Sequence, residues 1–109
     1  MTEFTFTITP APAGPVIAVA GALDVHTAIE LRPAVMRTAE ALDAGRELVL
    51  DLAELDFIDS SGLSVLIAAH KRCVARGARM RLVNAPAFVR RLLAVTGLKT
   101  IFLAAGDAD

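Results

Sequence analysis

The sequence has one cysteine, no tryptophan, no tyrosine and no long hydrophobic run. The single Cys73 excludes an internal disulfide and fits the reducing cytoplasm. Five dispersed phenylalanines are a poor surface for stacking nucleic-acid bases. No stretch of about 18 apolar residues predicts a membrane span, and the N-terminus lacks the basic region of a secretory signal. We therefore expect a cytoplasmic protein with neither nucleic acid nor membrane as a partner.

Length and net charge limit the number of domains and the ways in which a partner can be recognised. The chain has 109 residues, of which 55 % are hydrophobic, and a net charge of -1. This length predicts a single domain over residues 1–109, with residues 105–109 as a frayed tail. Because the net charge is close to zero, partners must be recognised by shape and local charge.

The first half of the chain predicts two strands and a helix. Residues 4–9 alternate apolar and hydroxyl side chains, and residues 16–20 form a second apolar run that we expect to pair antiparallel with the first. In the helix that follows, Thr27 and Glu30 fit a capping box. Pro33 argues instead for a start nearer Glu30, which would make that box a coincidence. An apolar stripe identifies the core face: Ala28, Leu31, Val35, Ala39 and Leu42.

The second half predicts strands alternating with helices. Strands are expected at 47–52, 78–83 and 100–103, with helices at 61–76 and after Pro86, the latter ending at Gly97. The order ββαβαβαβ implies right-handed crossovers. The predicted fold is therefore a single α/β domain with a mixed sheet of four to five strands. Its N-terminal edge is antiparallel, the rest is mainly parallel, and helices cover mostly one face.

A helical wheel divides the helix at 61–76 into two faces. The inward face carries Leu63, Leu66, Ile67, His70, Cys73 and Val74. The outward face carries Ser64, Val65, Ala68, Lys71, Arg72, Ala75 and Arg76. On the apolar side, His70 is interpreted as a buried, hydrogen-bonded core histidine. On the outward side, Val65 and Ala68 with a basic edge predict a small docking patch.

The turn between the strand at 47–52 and this helix carries the candidate chemistry. Asp59 is suited to cap the helix, and Gly62 allows another backbone to approach closely. Ser60 and Ser61 place two hydroxyls at the positive end of the helix, where a phosphate would be tolerated. From the residues alone, a plain helix cap and a phosphorylation site both remain open.

Two chemical alternatives are weaker. Ser60 with His26 could form a nucleophile and its base, but no third orienting residue is apparent and the nucleophile-elbow motif is incomplete. Asp51, Asp56 and Asp59 could gather around Mg²⁺, although Asp59 has a simpler role as a cap. No cofactor motif or metal-ligand spacing is present, so we predict neither a cofactor nor a metal.

A family resemblance favours the phosphorylation hypothesis. Residues 55–66, Leu-Asp-Phe-Ile-Asp-Ser-Ser-Gly-Leu-Ser-Val-Leu, resemble the signature of bacterial anti-sigma-factor antagonists of the STAS domain family. Residues 21–24 are similar to that family's turn before its first helix, and residues 89–98 resemble its last helix and turn. The resemblance therefore extends over nearly the whole chain.

The resemblance implies a regulator and not an enzyme. In the family, the unphosphorylated domain binds an anti-sigma factor that is also an ATP-dependent serine kinase, which frees the sigma factor. Kinase action abolishes binding, and a PP2C-type phosphatase restores it. Carried over, Ser60 is the phosphoacceptor, flanked by Asp24, Asp59, Ser61 and Gly62. The partner-binding face would be the outward side of the next helix: Ser64, Val65, Ala68, Lys71 and Arg72.

Two questions stay open at this stage. The alternative function is a STAS-type adaptor subunit of a transport complex, in which the serine is never modified. The oligomeric state is also undetermined, because an apolar helix face could meet a copy of itself in a homodimer.

Overall fold

The structure is a computed structural model that describes residues 3–102 and contains, in that range, one four-stranded sheet with four helices. In chain order the elements are β1 (Thr5–Thr9), β2 (Val16–Leu23), α1 (Val25–Glu40), β3 (Glu47–Ile58), α2 (Ser60–Ala75), β4 (Arg79–Val83), α3 (Ala87–Thr96) and α4 (Lys99–Phe102). The strands lie in the order β1-β2-β3-β4, with β1 antiparallel to β2 and the other pairs parallel. This arrangement confirms the predicted mixed α/β fold. No helix within the described range is long and apolar enough to cross a membrane.

The hydrophobic core lies on one face of the sheet. Side chains of β2 alternate between buried and half-buried, and Ile17, Val19 and Leu23 point into the core. The predicted stripe of α1 is buried along its whole length: Ala28, Leu31, Val35, Ala39 and Leu42. A shallow depression on the opposite face is lined by residues that include Thr7, Ala18 and Asp51. The helices therefore cover mostly one face, as predicted, and burial of each large aliphatic side chain there contributes about 1.5–3 kcal/mol.

Strand β3 is longer than predicted, because it runs to Ile58 and not to Leu52. Its pairing with β2 contains two register shifts, between Ala18 and Ala20 and between Gly21 and Ala22. Such bulges interrupt the period-two alternation of side chains, so the second half of β3 does not look like a strand in the sequence. The extension makes Ile58 a register partner of Leu23.

Helix α1 begins earlier than either predicted start. Asp24 is the N-cap, and Asp24 and Thr27 form a reciprocal capping box, so the expected box of Thr27 with Glu30 is wrong. Pro33 lies inside the helix without ending it. Its ring is exposed to solvent, and its missing N–H leaves the carbonyl of Ile29 without the usual helical donor.

The last predicted strand is not a strand. Residues 99–102 form the single-turn helix α4, and the remaining residue of that prediction, Leu103, lies outside the described range, as does the predicted tail at 105–109. Gly97 ends α3 in the left-handed conformation, with the Leu98 N–H donating to the Leu93 carbonyl at 2.8 Å. This Schellman turn directs the chain into α4 and buries Phe102 in the core.

His70 lies beside α4 and differs from its predicted state. The residue is partly exposed, and its buried Nδ1 makes no hydrogen bond within residues 3–102. Its ring meets the Phe102 ring edge-on, with the centroids 5.4 Å apart. Packing, and not the expected hydrogen bond, therefore holds this histidine.

Candidate functional site

The carboxyl ends of β2 and β3 bring two turns together. Leu23 and Ile58 are neighbours in the register of the parallel pair, and each is followed by an aspartate that caps a helix. The backbone of Asp24 (φ -118, ψ -168) is almost the same as that of Asp59 (φ -120, ψ -170). The Asp59 N–H also donates to the Leu23 carbonyl at 3.3 Å. The N-termini of α1 and α2 therefore lie next to each other, at the carboxyl ends of the two central strands.

Asp24 is held by a dense set of hydrogen bonds. Its Oδ1 accepts from the backbone N–H of His26 at 2.9 Å and of Thr27 at 3.0 Å. Thr27 Oγ1 returns the contact by accepting from the Asp24 N–H at 2.9 Å. The Thr27 backbone hydrogen bond is the largest cause that lowers the pKa of Asp24, against a smaller opposing effect of desolvation. Asp24 is thus a fixed carboxylate beside the second turn.

Asp59 plays the same part in α2. Its Oδ1 accepts from the backbone N–H of Ser61 at 2.9 Å and of Gly62 at 3.2 Å. Two of the backbone N–H groups that the start of a helix leaves without a helical partner are therefore satisfied by the aspartate. The Ser60 hydroxyl plays no part in the cap, which confirms the capping interpretation of Asp59 and leaves Ser60 available for another purpose.

Gly62 packs tightly against the ends of β2 and β3. A methyl group in place of its hydrogen would lie 2.7 Å from Leu23 Cγ, 2.8 Å from the Leu23 carbonyl oxygen and 2.9 Å from Ile58 Cγ1. Real side chains do not approach this closely, so a larger residue would push α2 away from the strand ends. The predicted close approach of another backbone at Gly62 is confirmed.

Ser60 is the first residue of α2 and is exposed, whereas Ser61 is half-buried. The Ser60 Oγ makes no hydrogen bond to any residue in the range 3–102, although the Ser60 carbonyl accepts from Ser64 Oγ at 2.9 Å. The His26 ring is exposed and makes no hydrogen bond to Ser60. The pair of nucleophile and base considered from the sequence therefore lacks its required contact.

Two of the three aspartates considered for Mg²⁺, Asp51 and Asp59, have other partners. Asp51 Oδ1 accepts from the Ala53 N–H at 3.1 Å and from Asn84 Nδ2 at 3.0 Å, and Asp59 is a cap. Within the described residues, no group of three or more His, Cys, Asp or Glu side chains is placed to hold a metal ion. The contacts of Asp51 instead fix the turn that follows β4.

The predicted partner-binding face of α2 needs one correction, at Val65. This residue is only 3 % exposed, because α1 packs along that side of α2. Arg72 Nη1 lies 2.8 Å from Glu40 Oε1, and Arg76 Nε donates to the Leu42 carbonyl at 2.8 Å. Val65 lies seven residues before Arg72, on the same side of the helix. The wheel assumed a single buried side facing the sheet and so overlooked burial against a second helix.

The rest of that face is accessible. Ser64 and Lys71 are exposed and Ala68 is half-buried, so with Ser60 they form a strip along α2. We call these four residues the α2 strip. Arg72 borders the α2 strip but is engaged with Glu40 in a half-exposed ion pair. The predicted inward face of α2 also needs a correction, at Val74, which is 56 % exposed.

Three exposed apolar residues near the two turns were not predicted from the sequence. Val25 and Ile29 lie on the first two turns of α1 with exposed fractions of 53 % and 71 %, and Phe57, two residues before Asp59, is 49 % exposed. The signal for the first two was present, because they fall outside the stripe through Ala28 and Leu31. It was missed because the helix start was placed too late.

Comparison with known proteins identifies the family. A family model described as the STAS domain matches residues 7–108, which is nearly the whole chain. The chain belongs to the STAS domain family. The resemblance drawn from residues 55–66 is thereby confirmed, and the two capped turns described above are part of a STAS fold.

Individual relatives of this STAS domain support the assignment. It is 34 % identical over 83 residues to the anti-sigma-B factor antagonist of Bacillus subtilis (strain 168), covering 76 % of this chain and 73 % of the relative. It is 34 % identical over 85 residues to the anti-sigma F factor antagonist of Paenibacillus polymyxa, covering 76 % and 70 %. The crystal structure of an anti-sigma factor antagonist from Mycobacterium paratuberculosis matches with a TM-score of 0.80 at 27 % identity, over 97 % of this chain and 91 % of that chain.

Proposed function

We propose that this chain is a phosphorylation-regulated anti-sigma-factor antagonist that works in the cytoplasm and catalyses no reaction. Its unphosphorylated form binds an anti-sigma factor that is also a serine kinase and thereby releases a sigma factor. Phosphorylation of Ser60 abolishes binding, and a PP2C-type phosphatase reverses it. The names of its relatives support the antagonist role. The observation that carries the assignment to Ser60 is its exposed hydroxyl, which has no hydrogen bond within residues 3–102.

The site suits a switch that leaves the fold intact. A phosphate would add about -1.5 to -2 charge at pH 7. The dipole of α2 favours a negative group at its first turn by about 0.3–1 kcal/mol, which offsets part of the repulsion from Asp59 and Asp24. Both carboxylates already have backbone partners in their caps, so the hydroxyl can be modified without breaking either cap.

The same charge would be costly in a complex. If the partner covers the neutral Ser60 hydroxyl, a dianion there must lose its hydration without finding a matching charge, at a cost of several kcal/mol. A tenfold loss of affinity needs only about 1.4 kcal/mol. The partner surface consistent with the structure is the α2 strip bordered by Arg72, with Val25 and Phe57 as apolar additions.

Phosphate mapping tests the acceptor. We expect the cognate anti-sigma-factor kinase with ATP to add one phosphate to the wild-type chain and to the Ser61→Ala variant, and none to Ser60→Ala. Mass spectrometry of the intact chains and of their peptides measures this. A phosphate found only at another residue contradicts the assignment of Ser60.

Binding measurements test the switch itself. Ser60→Asp is expected to bind the anti-sigma factor at least about tenfold more weakly than the wild type, whereas Ser60→Ala retains binding. Undiminished binding by Ser60→Asp contradicts the proposal. Co-purification of the native chain with transporter components, without any phosphate, favours the transport-adaptor alternative.

A further inference from the structure

The edge strand β1 has an unpaired side. It pairs with β2 in an unbroken register from Thr5 opposite Ala20 to Thr9 opposite Val16. On its other side, the backbone groups of residues 5–9 make no hydrogen bond with any residue in the range 3–102. Each such edge presents a row of N–H and C=O groups whose natural partner is another strand.

The usual protections of an edge are missing from β1. No charged residue occurs between Glu3 and Asp24, so neither β1 nor β2 carries a charge. The pairing of β1 contains no bulge, and Pro10 lies just beyond the end of the strand. Natural proteins normally blunt exposed edges with lysine, proline within the strand or a bulge. The edge of β1 is therefore open to pairing along its full length.

We propose that β1 pairs antiparallel with β1 of a second copy of this chain, about a two-fold axis through Thr7. The strand reads Thr-Phe-Thr-Ile-Thr, which is nearly symmetric about Thr7. On the sheet face without helices, the two-fold places threonines opposite threonines. On the helix-covered face it places Phe6 opposite Ile8, which is 47 % exposed in the single chain. Threonine pairs and aromatic–β-branched pairs are favourable across antiparallel strands.

Charge and contact area predict how strongly the two copies would associate. Glu3 would face Ala11 of the second copy, so no like charges meet across the edge. Five paired residues span only about 17 Å of strand, so the area that they bury should fall below that of the standard interface, about 1,600 Å². We therefore expect a weak dimer that dissociates on dilution. Because the two copies run antiparallel, their Ser60 turns point to opposite ends, and the dimer does not depend on the proposed switch.

Sedimentation equilibrium from low micromolar to millimolar concentration tests the dimer. The wild type is expected to change from monomer to dimer with concentration. Thr7→Lys should raise the dissociation constant at least about tenfold, because two ammonium groups would meet across the axis. Thr7 is exposed, so the substitution leaves the monomer folded, and Thr100→Lys is the control with the same change at another exposed threonine. A wild type that remains monomeric, or a dimer unaffected by Thr7→Lys, overturns the proposal.

Cross-linking tests the register. Under mild oxidation, Thr7→Cys should link to Thr7→Cys of the second copy, because directly opposed Cβ atoms lie about 5 Å apart. Thr9→Cys is the matched variant and should link far less, because Thr9 would face Thr5. The unmodified chain is the blank, since its Cys73 is buried. Equal linking by both variants overturns the proposed pairing about Thr7.

Discussion

A single hydrogen atom at Gly62 decides how closely α2 approaches the strand ends. Gly62→Ala is expected to lower the free energy of unfolding by about 1–3 kcal/mol, because the added methyl would lie 2.8 Å from the Leu23 carbonyl oxygen. The intrinsic helix propensity of alanine predicts a change of opposite sign, of about 1 kcal/mol. Urea unfolding followed by far-ultraviolet circular dichroism distinguishes the two. An alanine variant as stable as the wild type would show that separating the turns costs no more than the helix propensity that alanine gains.

Asp24 is expected to make stability depend on pH. Hydrogen bonds, chiefly from the Thr27 N–H, hold the pKa of Asp24 below its usual value. A carboxyl with a lowered folded-state pKa stabilises the fold above its unfolded-state pKa, and this contribution is lost as the pH falls through the folded-state pKa. In Asp24→Asn an amide oxygen can still cap the helix, but without the charge.

The measurement is the difference in unfolding free energy between the wild type and Asp24→Asn across a pH series. We expect the wild type to be the more stable near neutral pH and the difference to shrink in acid, below the pKa of an unfolded aspartate. A difference that stays constant from neutral to strongly acid pH would show that the charge of Asp24 contributes nothing to the cap.

Helix α1 contains one residue that should lower its stability, Pro33. Pro33 removes one hydrogen bond from the helix interior, where proline costs about 3 kcal/mol relative to alanine. Its side chain is exposed, so Pro33→Ala loses no core packing. We expect this variant to raise the free energy of unfolding by about 1–3 kcal/mol. Arg32→Ala, at the neighbouring exposed position, is the control and should change stability by less than about 0.5 kcal/mol.

The same helix shows what the sequence could predict. The stripe from Ala28 to Leu42 identified its core face, because period 3.6 depends only on local geometry. Its start was missed because the capping box was assigned to Thr27 and Glu30 and Pro33 argued for a start nearer Glu30, whereas Asp24 with Thr27 caps the helix and Pro33 lies within it. The local cap of Asp24 with Thr27 and the burial of the apolar stripe together outweighed the low helix propensity of Pro33.

A contact between helices and a misread turn account for two other errors. Val65 was placed outside because a wheel of α2 does not show that α1 covers its side. The strand predicted at 100–103 failed because Ile101 and Phe102 suit a strand in isolation, whereas the Schellman turn at Gly97 directs them into α4. By contrast, the motif around Ser60 was readable, because a strand end, a cap and a close-contact glycine follow one another directly in the chain.

The hydrophobic core and the proposed phosphorylation site lie in different parts of the domain. A hydrophobic cluster of buried residues joins the sheet to the helices. The two capping aspartates directly follow the ends of the adjacent strands β2 and β3. Ser60 lies outside this cluster, on the exposed side of its turn. Edge β1 is at the border of the sheet, two strands away from β3, which leads into the Ser60 turn. A partner at Ser60 and a second copy at β1 would therefore use different surfaces of the domain.

This separation predicts that a charge at Ser60 leaves the fold nearly unchanged. Ser60→Asp should shift the free energy of unfolding by less than about 1 kcal/mol, because attraction to the helix N-terminus offsets repulsion from Asp59. Ser61→Asp, one position along, is the matched comparison and should destabilise more, because Ser61 is half-buried. Urea unfolding of the two variants beside the wild type measures both. A large loss of stability in Ser60→Asp would mean that phosphorylation works by unfolding the turn, and not by electrostatic rejection of a partner from an intact surface.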